Sequence, residues 1–146
     1  MKKQNYGGIG VLLLCVVLAM AACTQSPFIN SERTMPGKWL VEDIEYLGHD
    51  GWAYLPFDTG DMLDFADNGR FTVTGSDDCR ADGNWWTDEK SQHSYVYLRL
   101  DGADEITTAR VKKVSGGRIV WAVYPQYWDE YTEGYPLYEI TLLSQK

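Results

Sequence analysis

From Gly37 onward, short segments rich in β-branched and aromatic residues alternate with turn residues. Apolar side chains at every second position are typical of strands that bury one face. Eight strands are predicted: Trp39–Leu47, Asp61–Ala66, Arg70–Gly75, Gly83–Thr87, Ser94–Leu100, Ile106–Val114, Arg118–Tyr124 and Leu137–Leu143. Beyond the first 22 residues no window sustains a helical period, so we expect at most one short helical turn, between Trp52 and Asp58.

Two turns indicate which strands pair. Asp67-Asn68-Gly69 separates the second and third strands, and Ser115-Gly116-Gly117 separates the sixth and seventh. Asn and Gly tolerate the positive φ that tight hairpins require. Consecutive hairpins predict an all-β fold, an eight-stranded antiparallel up-and-down barrel or half-barrel, because closure removes exposed strand edges.

The start of the chain has the layout of a secretory signal. Two lysines precede the apolar run Ile9–Met20, and the small residues Ala21 and Ala22 stand before Cys23. The run is shorter than the roughly 20 apolar residues that a membrane-spanning helix needs. This argues against a permanent transmembrane segment.

The segment Leu18-Ala19-Met20-Ala21-Ala22-Cys23 resembles the lipobox of bacterial lipoproteins, with Met20 where that family usually has leucine. The resemblance implies that residues 1–22 are a lipoprotein signal peptide, that Cys23 is lipidated and that residues 23–36 form a lipidated spacer. An ordinary cleavable signal is the alternative. No aspartate follows Cys23, and in enteric-type bacteria this pattern would imply sorting to the outer membrane of the cell envelope.

The net charge of the chain without residues 1–22 limits which classes of partner it can bind. Removal of residues 1–22 takes away two lysines and no acidic residue, so 13 basic and 21 acidic residues become 11 and 21, a net charge of −10. Such a domain is a poor nucleic-acid binder, because phosphate neutralisation needs lysine and arginine. Neutral ligands or a basic protein fit better. Residues 37–146 are expected to form one domain.

The cysteines do not predict a disulfide framework. Cys15 lies in the leader and Cys23 would carry the lipid, which leaves Cys79 without an intramolecular partner. Flanking carboxylates raise the pKa of a thiol, so we expect Cys79 to be a single unreactive thiol. An intermolecular bridge is the alternative.

A second resemblance concerns the domain itself. Gly37-Lys38-Trp39 at the first strand and the hairpin pattern in Leu63–Val73 are similar to those of lipocalin-like bacterial lipoproteins. The similarity extends from Gly37 to about Leu143. It implies a barrel with Trp39 packed across its closed end, and such barrels can hold one small ligand. The shared motif is structural, so no binding residue transfers with it.

Six tryptophans, ten tyrosines and four phenylalanines give the chain a heavy aromatic content. Large rings either line a ligand cavity or fill a core. The positions predicted to line a cavity are Trp85, Tyr95, Tyr97, Trp121 and Tyr138. Core packing is the alternative, because small barrels are often filled by their own side chains.

The long connection Pro125–Pro136 alternates aromatic and acidic residues, and ordered loops of this length are often functional. Rings beside carboxylates can stack on sugars or grip a basic protein surface. The predicted partner-binding residues are Tyr127, Trp128, Asp129, Glu130, Tyr131 and Glu133. A solvated loop folded onto the barrel mouth is the alternative.

Motifs for metal binding and catalysis are not found. Asp77, Asp78 and Asp82 are not spaced as in an EF-hand, so an acidic turn is favoured over a calcium site, and His49 and His93 are isolated. No nucleophile elbow, zinc-protease helix or phosphate loop is present, so no enzyme and no cofactor are predicted. We expect a membrane-anchored binding module for a small apolar or carbohydrate ligand. The alternative is a protein-interaction lipoprotein, an envelope assembly subunit or an inhibitor of a basic enzyme.

Overall fold

The computed structural model describes residues 29–90, 93–126 and 135–146. Within these residues the chain forms a short helix, α1 (Ser31–Thr34), and eight strands. The strands are β1 (Gly37–Tyr46), β2 (Met62–Phe65), β3 (Arg70–Thr74), β4 (Arg80–Lys90), β5 (His93–Leu100), β6 (Thr107–Ser115), β7 (Arg118–Val123) and β8 (Tyr138–Ser144). Each strand pairs antiparallel with the next, and β8 pairs with β1. The expected eight-stranded up-and-down barrel is confirmed.

The two predicted hairpins are present, each with glycine where the backbone is left-handed. Gly69 ends the β2–β3 turn with φ of 84°, and Gly116 and Gly117 form the β6–β7 turn with φ of 59° and 78°. In the first turn the Asn68 side chain also accepts a hydrogen bond from the backbone N–H of Arg70, at 3.1 Å. Glycine reaches this region without a Cβ clash, which explains why these turns could be recognised.

Two local predictions are wrong. β4 extends from Arg80 to Lys90 rather than from Gly83 to Thr87, because its polar end continues to pair with β5. The helical turn is not between Trp52 and Asp58, where the structure has turns and irregular backbone, but at α1. The Asn30 side chain caps α1 by accepting a hydrogen bond from the Arg33 N–H, and a favourable N-cap stabilises even a short helix.

Apolar side chains occupy the inside of the barrel. Three buried tryptophans and three buried phenylalanines belong to one continuous core: Trp39, Phe57, Phe65, Phe71, Trp85 and Trp121. The Phe65 ring meets the Trp85 and Trp121 rings edge to face, at centroid distances of 5.5 and 6.2 Å. Aromatic pairs in this geometry stabilise a core beyond the area that they bury.

We call the end of the barrel that carries the β2–β3 and β6–β7 turns the base. The segment 29–36, including α1, packs here: Met35 is fully buried and Ile29 contacts the core. The Trp39 indole N–H donates to the Met35 carbonyl at 2.8 Å, and the Trp39 ring is buried in the core beside this segment. The second half of the predicted spacer is therefore part of the folded domain.

The opposite end, which we call the rim, carries the connections that follow β1, β3, β5 and β7. The β1–β2 connection, residues 47–61, crosses this end and buries Phe57 in the core. It is held by the Gln126 N–H, which donates to the Trp52 carbonyl at 2.7 Å, and by the Thr107 hydroxyl, which donates to the Tyr54 carbonyl at 2.6 Å. Side chains and backbone therefore cover both ends of the interior.

Candidate functional site

The five residues predicted to line one cavity lie on two faces of the sheet. Trp85 and Trp121 are buried inside the barrel, and Tyr138 packs against the same core from the rim. Tyr95 and Tyr97 belong to a separate cluster. The structure therefore does not bring the predicted set together.

The orientation of β5 explains this correction. Val96 and Leu98 are fully buried in the main core, so the residues that alternate with them, Tyr95 and Tyr97, point to the outside of the barrel. Both faces of β5 carry large apolar groups. Alternation alone could not show which face was inside.

The two interior tryptophans of the predicted set differ in their hydrogen bonding. The Trp85 indole N–H donates to the Ala66 carbonyl at 2.9 Å. The Trp121 ring is fully buried, and its indole N–H has no hydrogen-bond partner among the described residues. Trp85 and Trp121 are therefore residues of the buried core.

On the outer wall, aromatic residues of β4, β5 and the end of β7 form what we call the flank cluster: Trp86, Tyr95, Tyr97, Tyr124 and the neighbouring Arg110. The Trp86 and Tyr97 rings stack with centroids 5.6 Å apart, and the Arg110 guanidinium lies 5.9 Å from the centre of the Tyr124 ring. Tyr95 and Tyr124 are buried, whereas Trp86 is 40% exposed. Access to this cluster is therefore limited mainly to Trp86.

A more accessible group, the rim cluster, contains four rings, one each from β1, the β1–β2 connection, the β7–β8 connection and β8: Tyr46, His49, Tyr135 and Tyr138. The His49 and Tyr135 rings stack with centroids 4.8 Å apart and planes 17° apart. Tyr46 and Tyr138 are partners in the β1–β8 register, with ring centroids 5.7 Å apart. Tyr135 is 68% exposed and Tyr46 is 58% exposed, so flat ring surface faces solvent.

Two polar groups belong to the rim cluster or follow it in the chain, the Tyr46 hydroxyl and the Asp50 carboxylate. The Tyr46 hydroxyl donates to the His49 carbonyl at 2.8 Å, which fixes the Tyr46 ring against the β1–β2 connection. Asp50 follows on this connection and is exposed, and Trp52, also on it, is 56% exposed. The rim therefore combines accessible ring surface with hydroxyl and carboxylate groups.

Sequence analysis missed most of the rim cluster and identified only Tyr138 of its four members. The sequence pattern places Tyr46 in the first strand, and it shows His49 only as an isolated histidine. Tyr135 lies in the predicted functional loop Pro125–Pro136 but outside the set of residues predicted to bind a partner. A usable signal was present, because Tyr46 and Tyr138 end the first strand and begin the last, and these two strands must pair when an up-and-down barrel closes.

Ion pairs lie on the outer wall rather than at the rim cluster. Arg70 binds the Asp101 carboxylate through two nitrogens, at 2.9 and 2.6 Å, and this hydrogen bonding lowers the pKa of Asp101. Arg118 binds Glu42 in the same way and lowers the pKa of Glu42. Both pairs are exposed, and exposed pairs contribute little to stability.

The carboxylates in and beside the turn between β3 and β4 do not point toward one common site. The Asp77 carboxylate accepts the Cys79 backbone N–H at 3.1 Å, whereas Asp82 accepts the Thr72 hydroxyl at 2.8 Å and also binds Arg80. Cys79 is an exposed free thiol, and its hydrogen bond with Asp77 raises the thiol pKa. Among the described residues, no three His, Cys, Asp or Glu side chains are placed to hold a metal ion.

Two groups of predicted residues lie outside the described residues. They are the lipidation site Cys23 and the partner-binding residues Tyr127, Trp128, Asp129, Glu130, Tyr131 and Glu133. Their assignments remain predictions.

Comparison of the chain with models of protein families, with curated proteins and with solved structures finds no match. None of the described helical residues forms a helix long and apolar enough to cross a membrane. Inferences about function therefore start from the barrel and the rim cluster.

Proposed function

We propose that this protein is a lipid-anchored component of the bacterial cell envelope that binds a carbohydrate at the rim of its barrel. The lipid would be attached at Cys23, after removal of residues 1–22. The barrel would serve as a rigid scaffold, and the rim cluster would contact the ligand.

The observation that carries this proposal is the contrast between the interior and the rim. Trp39, Trp85 and Trp121 are buried in a continuous apolar core, whereas Tyr46 and Tyr135 expose more than half of their surface. Exposed aromatic surface at one site on a protein often marks a binding site. The rim therefore supports ligand binding better than the interior does.

The chemistry of the rim favours a carbohydrate over a purely apolar molecule. A sugar ring has an apolar C–H face that packs on an aromatic ring and hydroxyls at its edge that need hydrogen-bond partners. The near-parallel His49 and Tyr135 rings offer aromatic surface to the C–H face of the sugar. The Tyr46 hydroxyl and the Asp50 carboxylate offer hydrogen-bond partners to its hydroxyls. A wholly apolar ligand would offer no hydrogen-bond partner to the exposed Asp50 carboxylate.

The proposal is tested by calorimetric titration of the mature protein with soluble peptidoglycan fragments and with oligosaccharides released from envelope glycolipids. Tyr135→Ala should weaken binding about tenfold, because loss of one stacked ring costs about 1.4 kcal/mol. Trp86→Ala is the matched control, since Trp86 is an exposed ring on the outer wall. Equal loss in both variants, or no binding of either glycan class, would refute the proposal.

A protein-interaction role is the second candidate, and one observation favours it. The rim connections carry exposed acidic residues, among them Asp50, Asp58 and Asp104. Such a surface can attract a basic protein, and association of that kind weakens steeply with salt. Recovery of one basic protein from envelope extract by the mature chain, with elution at high salt and no glycan binding, would favour this role.

A further inference from the structure

Charge is distributed unequally between the two ends of the barrel. In an up-and-down barrel, successive connections lie at alternate ends, so the connections after β1, β3, β5 and β7 all lie at the rim. Their described residues contain no lysine or arginine. They contain eight acidic residues, of which Asp101 is paired with Arg70: Asp50, Asp58, Asp61, Asp77, Asp78, Asp101, Asp104 and Glu105.

The base has a different balance. Its described connections contain Glu32 and Asp67 but also Arg33 and Lys146. Two further lysines, Lys38 near the start of β1 and Lys113 near the end of β6, are exposed on the adjoining strand ends. On the corresponding strand ends, the rim carries the exposed Arg80 and Arg99, and the base also carries Asp88 and Glu89. The base is therefore near neutral, whereas the rim keeps a clear excess of acidic residues.

Among these basic groups, Lys113 is the most direct to test. It is exposed two residues before the β6–β7 turn, and its cross-strand partner is the apolar Val120. Arg118 at the same turn is already engaged by Glu42. A charge change at position 113 should therefore alter the field at the base without breaking that ion pair.

The N-terminal segment reaches the barrel at its base. Ile29 contacts the core and α1 packs against β4 and β5, where the Ser31 and Ser94 hydroxyls are hydrogen-bonded. Five residues lie between Cys23 and Ile29, and even a fully extended chain spans only about 20 Å over this interval. A lipid on Cys23 would thus hold the base close to the membrane surface.

We infer that the base of the barrel faces the anchoring bilayer and that the acidic rim faces away from it. This inference rests on the proposed lipid anchor. Anionic phospholipids attract lysine and arginine near their surface and repel carboxylates, within a Debye length of about 8 Å at physiological salt. A barrel lying on its side or inverted would bring the rim acids into that layer.

This orientation restricts where a ligand bound at the rim can come from. β1 has ten residues, and a tilted strand of that length makes the barrel about 25 Å high. The rim cluster would therefore stand well beyond the headgroups of the anchoring leaflet. Its ligand is then a soluble or polymeric glycan on the far side of the protein, rather than the headgroup of a neighbouring lipid.

The test uses the mature, lipidated protein in vesicles of phosphatidylcholine and phosphatidylglycerol that contain a headgroup-attached fluorescence quencher. In one sample the fluorophore is attached to Cys79, an exposed thiol in a rim connection. In the other, Cys79→Ser is combined with Ser115→Cys, so that the label lies at the base. We expect quenching to be several-fold stronger for the label at position 115.

A charge reversal tests the cause of the orientation. Lys113→Glu at the base should reduce quenching of the label at position 115. The control is Arg99→Glu, which reverses the charge of an exposed residue on β5 near the rim and should leave this quenching unchanged. Increasing salt should shrink the difference between these variants, because it screens exposed charges. A Lys113→Glu protein that behaves like the parent would contradict an electrostatic cause.

The possible failures are distinguishable. A chain that does not bind vesicles, or that is recovered with an unmodified Cys23 thiol, would refute the proposed anchor and with it this inference. A chain that binds vesicles but shows equal quenching at both labels, or stronger quenching at Cys79, would refute the orientation alone.

Discussion

The three interior tryptophans allow the hydrogen bonds of the core to be separated from its apolar packing. Trp39, Trp85 and Trp121 are all buried, and Trp→Phe removes the same atoms at each position. Burial alone predicts the greatest loss for Trp121, which is the only fully buried ring of the three. Hydrogen bonding predicts the reverse order.

The reason lies in the partners left behind. Trp39→Phe leaves the Met35 carbonyl, and Trp85→Phe leaves the Ala66 carbonyl, without the indole donor. A buried acceptor without its partner costs about 1–3 kcal/mol. In Trp85→Phe the Ala66 carbonyl still accepts a 3.3 Å hydrogen bond from the Gly69 N–H. Trp85→Phe should therefore lose less stability than Trp39→Phe.

Trp121→Phe removes a donor that has no partner among the described residues. It should therefore destabilise the domain by about 1–2 kcal/mol less than Trp39→Phe, with Trp85→Phe between them. Urea unfolding followed by circular dichroism measures the free energy of unfolding of each variant, and similar slopes would show that the comparison is valid. A Trp121→Phe loss equal to or greater than the Trp39→Phe loss would refute this reasoning.

Three further predictions concern single positions. Gly83→Ala should lower the thermal unfolding midpoint by several degrees, because a Cβ would lie 2.3 Å from a backbone carbonyl oxygen of β5; an unchanged midpoint would contradict this close packing. Asp77→Asn should speed alkylation of Cys79 at constant pH, since Asp77 raises the thiol pKa. Arg70 lowers the pKa of Asp101, so the Arg70–Asp101 pair stabilises the fold above about pH 4 and loses this effect as acid protonates Asp101. Asp101→Asn should therefore make the thermal unfolding midpoint less dependent on acid pH at low salt.

The parts of the fold that could be predicted are those encoded by neighbouring residues. The β2–β3 hairpin follows from alternating residues on either side of Asn68-Gly69, where the backbone must become left-handed. The end of β4 could not be predicted, because Asp88-Glu89-Lys90 has the composition of a turn and is strand only through its pairing with β5. Tertiary pairing overrides local preference there.

The rim cluster depends on contacts between distant parts of the chain. Tyr46 and Tyr138 become partners only because β8 closes the barrel against β1, and their pairing brings His49 within reach of Tyr135. Alternation correctly separates Tyr95 from Val96, but it does not show which of them faces the interior. Predicted closure of the barrel indicates that Tyr46 and Tyr138 pair, whereas the stacking of His49 on Tyr135 is visible only in the structure.

The central claim, that ligand binds at the rim and not inside the barrel, is tested most directly by the indole N–H resonances in a two-dimensional NMR titration of the mature protein with envelope glycan. We predict a shift for Trp52, which lies on the rim connection, and unchanged resonances for Trp39, Trp85 and Trp121. Shifts of the Trp85 and Trp121 resonances with Trp52 unchanged would contradict the claim and place the ligand in the interior.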